Sequence, residues 1–151
     1  MAEQLKPVET AKGTDITLLG DEHVRVYRET SGATGYLWNG VPTLLITSTG
    51  RKSGEKRTIP IIFTQVGYIY VVIASKGGSA THPAWYLNIQ DDPAVEVQIK
   101  GDIFKARTRT AQSPEREALW AAAVATWPNY DLYQSRTSRL IPVVVIERDG
   151  G

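Results

Sequence analysis

The sequence has no cysteine, one methionine, two phenylalanines and two histidines in 151 residues. Without cysteine, the chain cannot form a disulfide, a thiolate zinc site, an iron–sulfur cluster or a cysteine nucleophile. The histidines, His23 and His82, do not stand in metal-ligand spacing with each other or with carboxylates, which argues against a metal site. The sequence also has no GxSxG elbow and no convincing pair of catalytic carboxylates. An enzyme with so few side-chain catalysts would have to take its chemistry from a cofactor.

Long apolar runs and a strong excess of either charge are absent as well. No stretch approaches the roughly 20 apolar residues of a membrane helix, and residues 1–17 lack the apolar core of a signal peptide. We therefore expect a cytoplasmic protein. The formal net charge is +1, so we expect no nucleic-acid partner, and any electropositive site must come from local clustering of cations.

The length and composition are those of one ordinary globular domain, with 42% apolar and 22% charged residues. We expect residues 1–20 to form a flexible N-terminal arm and residues 21–151 to form a single cofactor-binding domain. The chain is rich in aromatic residues that carry a polar group, with four tryptophans and seven tyrosines. Such side chains suit a pocket for a planar ligand, although packing in the core is an equally good interpretation for most of them.

The pattern of β-branched residues and turn signals predicts a mainly β, α+β domain with about six antiparallel strands and three or so flanking helices. Because the strands follow one another through tight turns, we expect an antiparallel barrel with the helices outside, and not β-α-β units. Thr81 and Ser113 are the expected caps of the second and third helices. The strands are expected at 41–49, 57–65, 68–74, 94–99, 103–110 and 141–147, the helices at 21–30, 82–89 and 113–126, a loop at 31–40 and a polar segment at 129–140.

The most basic part of the chain is the segment from Thr47 to Arg57, which has four cations and one anion between residues 51 and 57. Arginine forks, a lysine point charge, hydroxyl groups and backbone N–H groups freed by two glycines suit phosphate and carboxylate oxygens. The spacing is not that of a Walker loop. A solvated hairpin turn is the alternative interpretation of this composition.

A second candidate site begins at the small-residue loop from Ala74 to Ser79. The loop leads into a helix start, whose N–H groups and dipole favour an anion or a ring carbonyl. Gly77 and Gly78 would allow the backbone to approach a flat ring closely, and Trp85 could face that ring. The alternative is an ordinary capped connection with Trp85 in the core.

The third candidate is a set of aromatic residues, Trp127, Tyr130 and Tyr133, which share a three-residue spacing. They could cover a pocket, and the two phenols could form hydrogen bonds with a substrate. Core packing is the alternative, and it is at least as good an interpretation for Trp127.

Several motifs follow one another in a defined order: TSTGRKSG at 47–54, Arg57 with Pro60, ASKGG at 74–78, PAWYLN at 83–88, Pro93, Tyr130 and IPVV at 141–144. Taken together, these motifs resemble the deazaflavin-dependent nitroreductase family of actinobacteria, over about residues 38–147. The resemblance implies a split β-barrel related to flavin-binding oxidoreductases. It also implies coenzyme F-420, a deazaflavin with a phosphate and an oligoglutamate tail, whose reduced form donates hydride to acceptors such as quinones.

The resemblance also assigns residues to the site. The basic turn would hold the phosphate and the glutamate carboxylates, and the loop at 75–77 would lie at the deazaflavin ring or its linker. Tyr130, Tyr133 and Ser75 are the expected catalytic residues. The two tyrosines would bound the substrate face. The proton for the reduced quinone could come from any of the three residues or from water. The expected cofactor-binding residues are Leu45, Ile46, Thr47, Arg51, Lys52, Ser53, Gly54, Arg57, Ala74, Ser75, Lys76, Gly77, Ala84, Trp85, Tyr86, Leu87, Asn88 and Tyr130.

Two positions depart from members of the family that reduce nitroimidazoles, because Ile62 and Trp127 stand where a tyrosine is expected. The more apolar pocket favours a quinone as the acceptor. The alternatives are an FMN- or FAD-dependent reductase on the same barrel and a non-catalytic carrier of the deazaflavin. A quinone acceptor makes peripheral association with the inner face of the cell membrane a further expectation, and a homodimer is compatible with the sequence.

Overall fold

The computed structural model describes residues 20–149, so the arm expected at residues 1–20 lies outside them except for Gly20. Within this range, helix α1 at 20–30 confirms the prediction for 21–30. A single 3-10 turn covers Lys76–Gly78. The elements in chain order are α1 Gly20–Thr30, β1 Leu37–Trp38, β2 Val41–Thr49, β3 Lys56–Ile62, β4 Thr64–Val66, β5 Ile69–Ile73, α2 Ala84–Asp91, β6 Ala94–Ile99, β7 Asp102–Thr110, α3 Glu115–Thr126, α4 Asn129–Ser135 and β8 Val143–Arg148.

The strands form one curled antiparallel sheet in the order β1-β2-β6-β7-β8-β5-β4. Strand β3 is outside this order and pairs with the edge of β2 opposite to β6. The strand expected at 57–65 is bent, since β3 pairs with β2 whereas β4 pairs with β5. The bend lies at Phe63, whose buried ring packs edge-on against Tyr36 and Tyr70 in the barrel core. Because β3 and β4 form one bent segment and β1 has only two residues, the prediction of a split barrel with about six strands is confirmed.

Strand β8 shows how the sheet separates two apolar cores. Val144 and Ile146 point into the barrel, whereas Val143 and Val145 pack against α3 and α4 on the outer face. All four side chains are fully buried, and each contributes roughly 1.5–3 kcal/mol relative to an exposed side chain. The continuous apolar run therefore belongs to a strand that is covered on both faces.

The helix boundaries correct several predictions. The cap predictions for Thr81 and Ser113 are wrong, because proline directly precedes both α2 and α3 and neither helix has a side-chain cap. The Ser113 hydroxyl instead donates to the Glu117 carboxylate at 2.7 Å. The loop expected at 31–40 contains β1, and the polar segment at 129–140 begins with α4. None of the helices in residues 20–149 is both long and apolar enough to cross a membrane.

Candidate functional site

The basic turn between β2 and β3 forms one wall of a cavity of about 490 Å³, which we call the basic cavity. The opposite wall is the first half of α2. Residues 51–57 are exposed, so their cationic groups are available to a ligand. The lining residues are Ser48, Gly50, Arg51, Lys52, Ser53, Arg57, Ile59, Ala84, Trp85 and Asn88.

Backbone hydrogen bonds give the turn a defined shape. The Gly50 N–H donates to the Glu55 carbonyl and the Gly54 N–H donates to the Gly50 carbonyl, both at 2.8 Å. A Cβ atom on Gly50 would lie 2.8 Å from the Ser53 hydroxyl oxygen, so a larger residue would push that side chain aside. Gly54 has φ of +77°, a conformation that favours glycine.

Asn88 connects the turn to α2. Its side chain is buried, and Oδ1 accepts hydrogen bonds from the backbone N–H of Arg51 at 3.1 Å and from Arg51 Nη1 at 3.0 Å. One amide oxygen therefore holds both the backbone and the guanidinium of Arg51. This contact determines the position of the positive charge of Arg51 relative to Trp85, which lies on the same helix as Asn88.

A second cavity, of about 430 Å³, lies beside the first, and we call it the aromatic cavity. Strand β3 contributes four consecutive residues to it, and among residues 20–149 the only strand that pairs with β3 is β2. Pro60 has no N–H and is suited to such an unpaired edge. The lining residues are Gly20, His23, Trp38, Thr43, Ile59, Pro60, Ile61, Ile62, Ile73, Ser75, Lys76, Gly77, Pro83, Trp85, Trp127, Tyr130 and Tyr133.

The two cavities share the side chains of Ile59 and Trp85. They are therefore adjacent parts of one elongated site, with a cationic end and an aromatic end. Each cavity is within the usual size of small-molecule sites, about 300–1,000 Å³. A long ligand with a flat apolar head and an anionic tail matches this arrangement.

Arg139 binds the loop from residue 74 to residue 82 through four hydrogen bonds from its guanidinium. The guanidinium donates to the carbonyl oxygens of Ser75 at 2.8 Å, Ser79 at 3.0 Å and Ala74 at 3.2 Å. It also donates to Nδ1 of His82 at 2.9 Å. Because these carbonyls point towards Arg139, the orientation of the peptide groups that line the aromatic cavity is fixed.

Gly78 brings this loop against α4. A Cβ atom at Gly78 would lie 2.5 Å from the backbone oxygen of Tyr133 and 3.0 Å from Cβ of Arg136. The preceding residues, Lys76 and Gly77, also have positive φ, at 47° and 65°. The chain therefore needs glycine here for close packing, and that packing brings the loop towards Tyr133.

Aromatic rings form the other end of the aromatic cavity. The Trp127 indole Nε1 donates to the Tyr133 hydroxyl oxygen at 3.2 Å, and the rings of Trp38 and Trp127 are 5.7 Å apart. Tyr130 and Tyr133 are in edge-to-face contact at 6.0 Å. This wall combines apolar ring faces with two phenol groups.

Tyr130 is nearly fully buried although it lines the cavity. Burial strongly raises the pKa of its hydroxyl, and the neighbouring Tyr133 adds a smaller effect in the same direction. Its ring contacts Trp120 and Tyr133, and its hydroxyl has no hydrogen-bond partner within residues 20–149. Tyr130 therefore stays neutral at physiological pH and can donate a hydrogen bond to a ligand.

Most of the residues expected from the sequence lie at these two cavities. The basic turn and α2 form the basic cavity, and the loop before α2 and the tyrosines of α4 form part of the aromatic cavity. The expected residues that line one cavity or both are Arg51, Lys52, Ser53, Arg57, Ser75, Lys76, Gly77, Ala84, Trp85, Asn88, Tyr130 and Tyr133.

Seven expected cofactor-binding residues line neither cavity. Four are buried in the cores, and the Tyr86 hydroxyl pairs with that of Thr110 at 2.7 Å. The Thr47 hydroxyl is paired with Thr58 at 2.7 Å across β2 and β3. These residues neighbour the site in sequence. Leu45 and Ile46 point away from it because both faces of β2 are covered, by the α1 cluster and by the barrel core. The seven residues are Leu45, Ile46, Thr47, Gly54, Ala74, Tyr86 and Leu87.

Several lining residues were not expected from the sequence. In the apolar run from 59 to 62, Ile59 and Ile61 were assigned only to a strand, whereas Pro60 was part of a motif and Ile62 was already expected to affect the pocket. Trp38 lay in a predicted loop, and His23 was considered only as a metal ligand. No local signal identifies His23, since only the packing of α1 brings it to the aromatic cavity.

Comparison with known proteins gives the same assignment. The family model described as F-420H(2)-dependent quinone reductase matches residues 19–148. An F-420H(2)-dependent quinone reductase of Mycobacterium tuberculosis is 38% identical over 130 residues, which cover 83% of this chain and 87% of that protein.

Two solved structures are similar in both sequence and fold. The structure of an F-420-H2-dependent reductase, FDR-A, is 41% identical, with a TM-score of 0.66, and the match covers 70% of this chain and 94% of that one. A structure described as a domain-swapped dimer is 36% identical, with a TM-score of 0.67, over 82% of this chain and 96% of that one. The predicted family, the fold, the oxidoreductase class and the cofactor, coenzyme F-420, are confirmed. The chain belongs to the F-420H(2)-dependent quinone reductase family.

Proposed function

We propose that this protein transfers hydride from reduced coenzyme F-420 to a small, planar, apolar quinone. The observation that supports this most directly is the shared wall of Ile59 and Trp85 between a cationic and an aromatic cavity. The cofactor has the matching shape, with a flat ring at one end and phosphate and carboxylate groups at the other. The near-neutral chain concentrates its positive charge where that anionic tail would lie.

The donor set of the basic cavity fits the tail. Arg51 and Arg57 offer guanidinium forks, Lys52 offers a compact ammonium and Ser53 a hydroxyl. Charge-assisted hydrogen bonds from such groups are about twice as strong as neutral ones. Asn88 holds Arg51 in place and so limits the entropy lost when the tail binds.

The bound deazaflavin supplies the hydride, and the protein positions the two reactants. The loop at 75–77 and Trp85 would hold the ring, and the quinone would lie towards the aromatic residues of α3 and α4. Hydride transfer depends on alignment of the donor and acceptor carbons, which a rigid cavity provides.

The negative charge that develops on the quinone oxygen needs a hydrogen-bond donor. Tyr130 is the group best suited to this role, because its buried hydroxyl is neutral and has no acceptor within residues 20–149. Tyr133 is the second donor, since Trp127 occupies a lone pair of its oxygen and leaves its proton available. Ser75 also lines the cavity and could pass a proton from water.

The test measures binding and turnover separately. Cofactor binding is followed by the fluorescence of oxidised F-420, and turnover by the loss of absorbance of the reduced form with a naphthoquinone. We expect binding at micromolar concentrations and quinone-dependent oxidation. Binding without oxidation by any quinone would support the carrier alternative, and a purified yellow protein containing FMN would support the flavin alternative. No binding of F-420 would contradict the proposal.

We further infer that the enzyme works in the cytoplasm and meets its quinone at the inner face of the membrane. Leu132 and Leu140 support this inference, because they are 42% and 66% exposed and lie on α4 and the segment after it, near the aromatic cavity. Co-sedimentation with anionic lipid vesicles tests it. A Leu132→Ser, Leu140→Ser variant should bind vesicles less, and equal recovery of both proteins would contradict the inference.

A homodimer is also part of the proposal, since one similar structure is described as a domain-swapped dimer. Light scattering of the purified protein over a range of concentrations measures its mass directly. We expect twice the mass of the 16.6 kDa chain. A monomeric mass at all concentrations would contradict the dimer and would leave the proposed reaction unaffected.

A further inference from the structure

The start of α1 contributes a buried histidine to the aromatic cavity. His23 is only 2% exposed, and it lines the cavity together with Thr43. Both side chains bind the same backbone oxygen, since His23 Nε2 and Thr43 Oγ1 each lie 2.7 Å from the carbonyl of Gly35. Thr43 in turn pairs with Ile62 in the β2–β3 ladder. His23 therefore lies beside Thr43 in the part of the cavity wall that β2 and the end of β3 form.

The contact with Gly35 determines the tautomer of the imidazole. A carbonyl oxygen can only accept, so Nε2 must carry the hydrogen. In the neutral ring, Nδ1 is then a bare hydrogen-bond acceptor. The edge formed by Nε2 and Cδ2 lies against Gly35, where a Cβ would be 3.3 and 3.2 Å from those atoms. The polar group on the opposite edge of the ring is Nδ1.

No residue between 20 and 149 donates a hydrogen bond to Nδ1. A buried acceptor without a donor destabilises the folded protein, because it has lost its water and gained no partner. Such a group at the wall of a cavity is suited to a ligand that brings the missing donor. The apolar residues that line the same cavity, Trp38 and Ile62 among them, lower the local dielectric and would strengthen that hydrogen bond.

We propose that His23 is a specificity-determining residue that accepts a hydrogen bond from a hydroxyl group on the side chain of the quinone. This inference rests on the proposed function for the identity of the acceptor. Quinones that carry an alcohol would be bound more tightly than otherwise equal quinones without a donor. The preference arises because an ether or alkyl group would leave Nδ1 buried and unpaired.

The test uses naphthoquinones with hydroxymethyl, hydroxyethyl and hydroxypropyl side chains, each compared with its methyl ether. Affinity is measured by calorimetry with the wild-type protein, with and without oxidised F-420. We expect at least one alcohol to bind about tenfold more tightly than its ether, which is the effect of one hydrogen bond. The measurement needs no reduction of the quinone, so the affinities of alcohol and ether can be compared even if the proposed reaction does not occur.

Two variants separate the ligand contact from the structural one. In His23→Gln, the amide nitrogen can replace Nε2 towards Gly35, but no acceptor remains at Nδ1, so the preference for the alcohol should be lost. In His23→Asn, the amide oxygen replaces Nδ1, so the preference should remain although the contact with Gly35 is lost. Glu29→Gln, at an exposed site on α1, is the control for changes in the helix.

Two results would overturn the proposal. One is that no alcohol binds more tightly than its ether to the wild-type protein, which needs no variant to fold. The other is that His23→Gln keeps the full preference while its thermal unfolding shows a folded protein.

Discussion

The indole Nε1 of Trp127 donates a hydrogen bond to the hydroxyl oxygen of Tyr133 across 3.2 Å. This contact joins the end of α3 to α4 at the wall of the aromatic cavity. It orients the phenol, because the indole occupies one lone pair and the hydroxyl proton must point elsewhere. Trp127 is itself held by the ring of Trp38, so the position of the phenol depends on packing from β1 to α4.

The first prediction concerns this hydrogen bond. Trp127→Phe keeps an aromatic ring but removes the donor, and we expect quinone turnover to fall about fivefold, the effect of roughly 1 kcal/mol. Affinity for F-420 should change little. Tyr133→Phe should lower turnover at least as much, and the double variant should be no worse than Tyr133→Phe alone. Additive losses in steady-state kinetics would contradict a shared role.

The second prediction concerns the basic turn. Lys52→Ala combined with Arg57→Ala should weaken F-420 binding, with a larger loss at low salt than at high salt because exposed charge contacts are screened. Fluorescence titration in two salt concentrations measures this. Lys105→Ala combined with Arg107→Ala removes the same charge from exposed positions of β7 and is the control. Equal losses in both pairs would indicate a general effect of net charge.

The third prediction concerns Arg139. Arg139→Lys keeps the charge, but one ammonium group cannot reach three carbonyls and His82 together. We expect the free energy of unfolding to fall by about 1–3 kcal/mol, because partly buried acceptors lose their donor. F-420 affinity should fall as well, since the loop at 75–77 is no longer fixed. Arg136→Lys, at an exposed position where the guanidinium donates to the Gly77 carbonyl at 3.2 Å, should cost less in both measurements.

The fourth prediction concerns pH. Burial lowers the pKa of His82 below its usual 6.5, and the nearby Arg139 guanidinium lowers it further. Arg139 can only donate, so Nδ1 of folded His82 must be unprotonated. The unfolded chain therefore binds more protons just below pH 6.5, and the stability contributed by His82 is present above that pH and lost as the pH falls.

The measurement is the thermal unfolding midpoint of wild type and His82→Asn, taken above the usual pKa of 6.5 and at successively lower pH. The asparagine oxygen can accept from Arg139 but does not titrate. We expect the wild type to lose more stability than the variant as the solution is acidified. Parallel curves for the two proteins would show that His82 is not the group responsible.

The fifth prediction separates backbone strain from close packing. Gly78→Ala introduces a Cβ at φ of +86°, only 2.5 Å from the Tyr133 backbone oxygen, whereas Gly67→Ala introduces one at φ of +60° with nothing within 4 Å. Both should destabilise by about 1 kcal/mol through φ. Gly78→Ala should lose at least 1–3 kcal/mol more through overpacking. Equal unfolding free energies in urea would indicate that α4 moves away freely.

The basic turn, the small-residue loop and the aromatic spacing at 127–133 could all be recognised from the sequence. Each depends on local chemistry, such as charge density, glycine content and helical spacing. The motifs around Arg51, Ser75 and Trp85 stood in the right order, and their resemblance to a family indicated the cofactor. The strands were found for the same reason, because β-branched runs between turns are local signals.

The features that the sequence did not reveal depend on contacts between distant parts of the chain. Leu45 and Ile46 directly precede the site motif, and their side chains pack in two different core clusters. Thr81 and Ser113 had the right type for caps, but proline precedes both helices directly. His23 and Trp38 come from outside the motifs and reach the cavity only through the packing of α1 and β1.

The sequence by itself determined the local features of this protein: a cationic turn, a loop of small residues before α2 and aromatic residues at helical spacing. In their order along the chain, these features also indicated the family. These properties depend on residue type and short-range spacing. The tertiary structure decided that Ile59 and Trp85 join two cavities into one site and that Arg139 holds the loop beside it. It also decided that seven expected residues line neither cavity, four of them because they are buried in the cores. Those outcomes depend on strand order, on the bend at Phe63 and on helix packing, which bring together residues far apart in the chain.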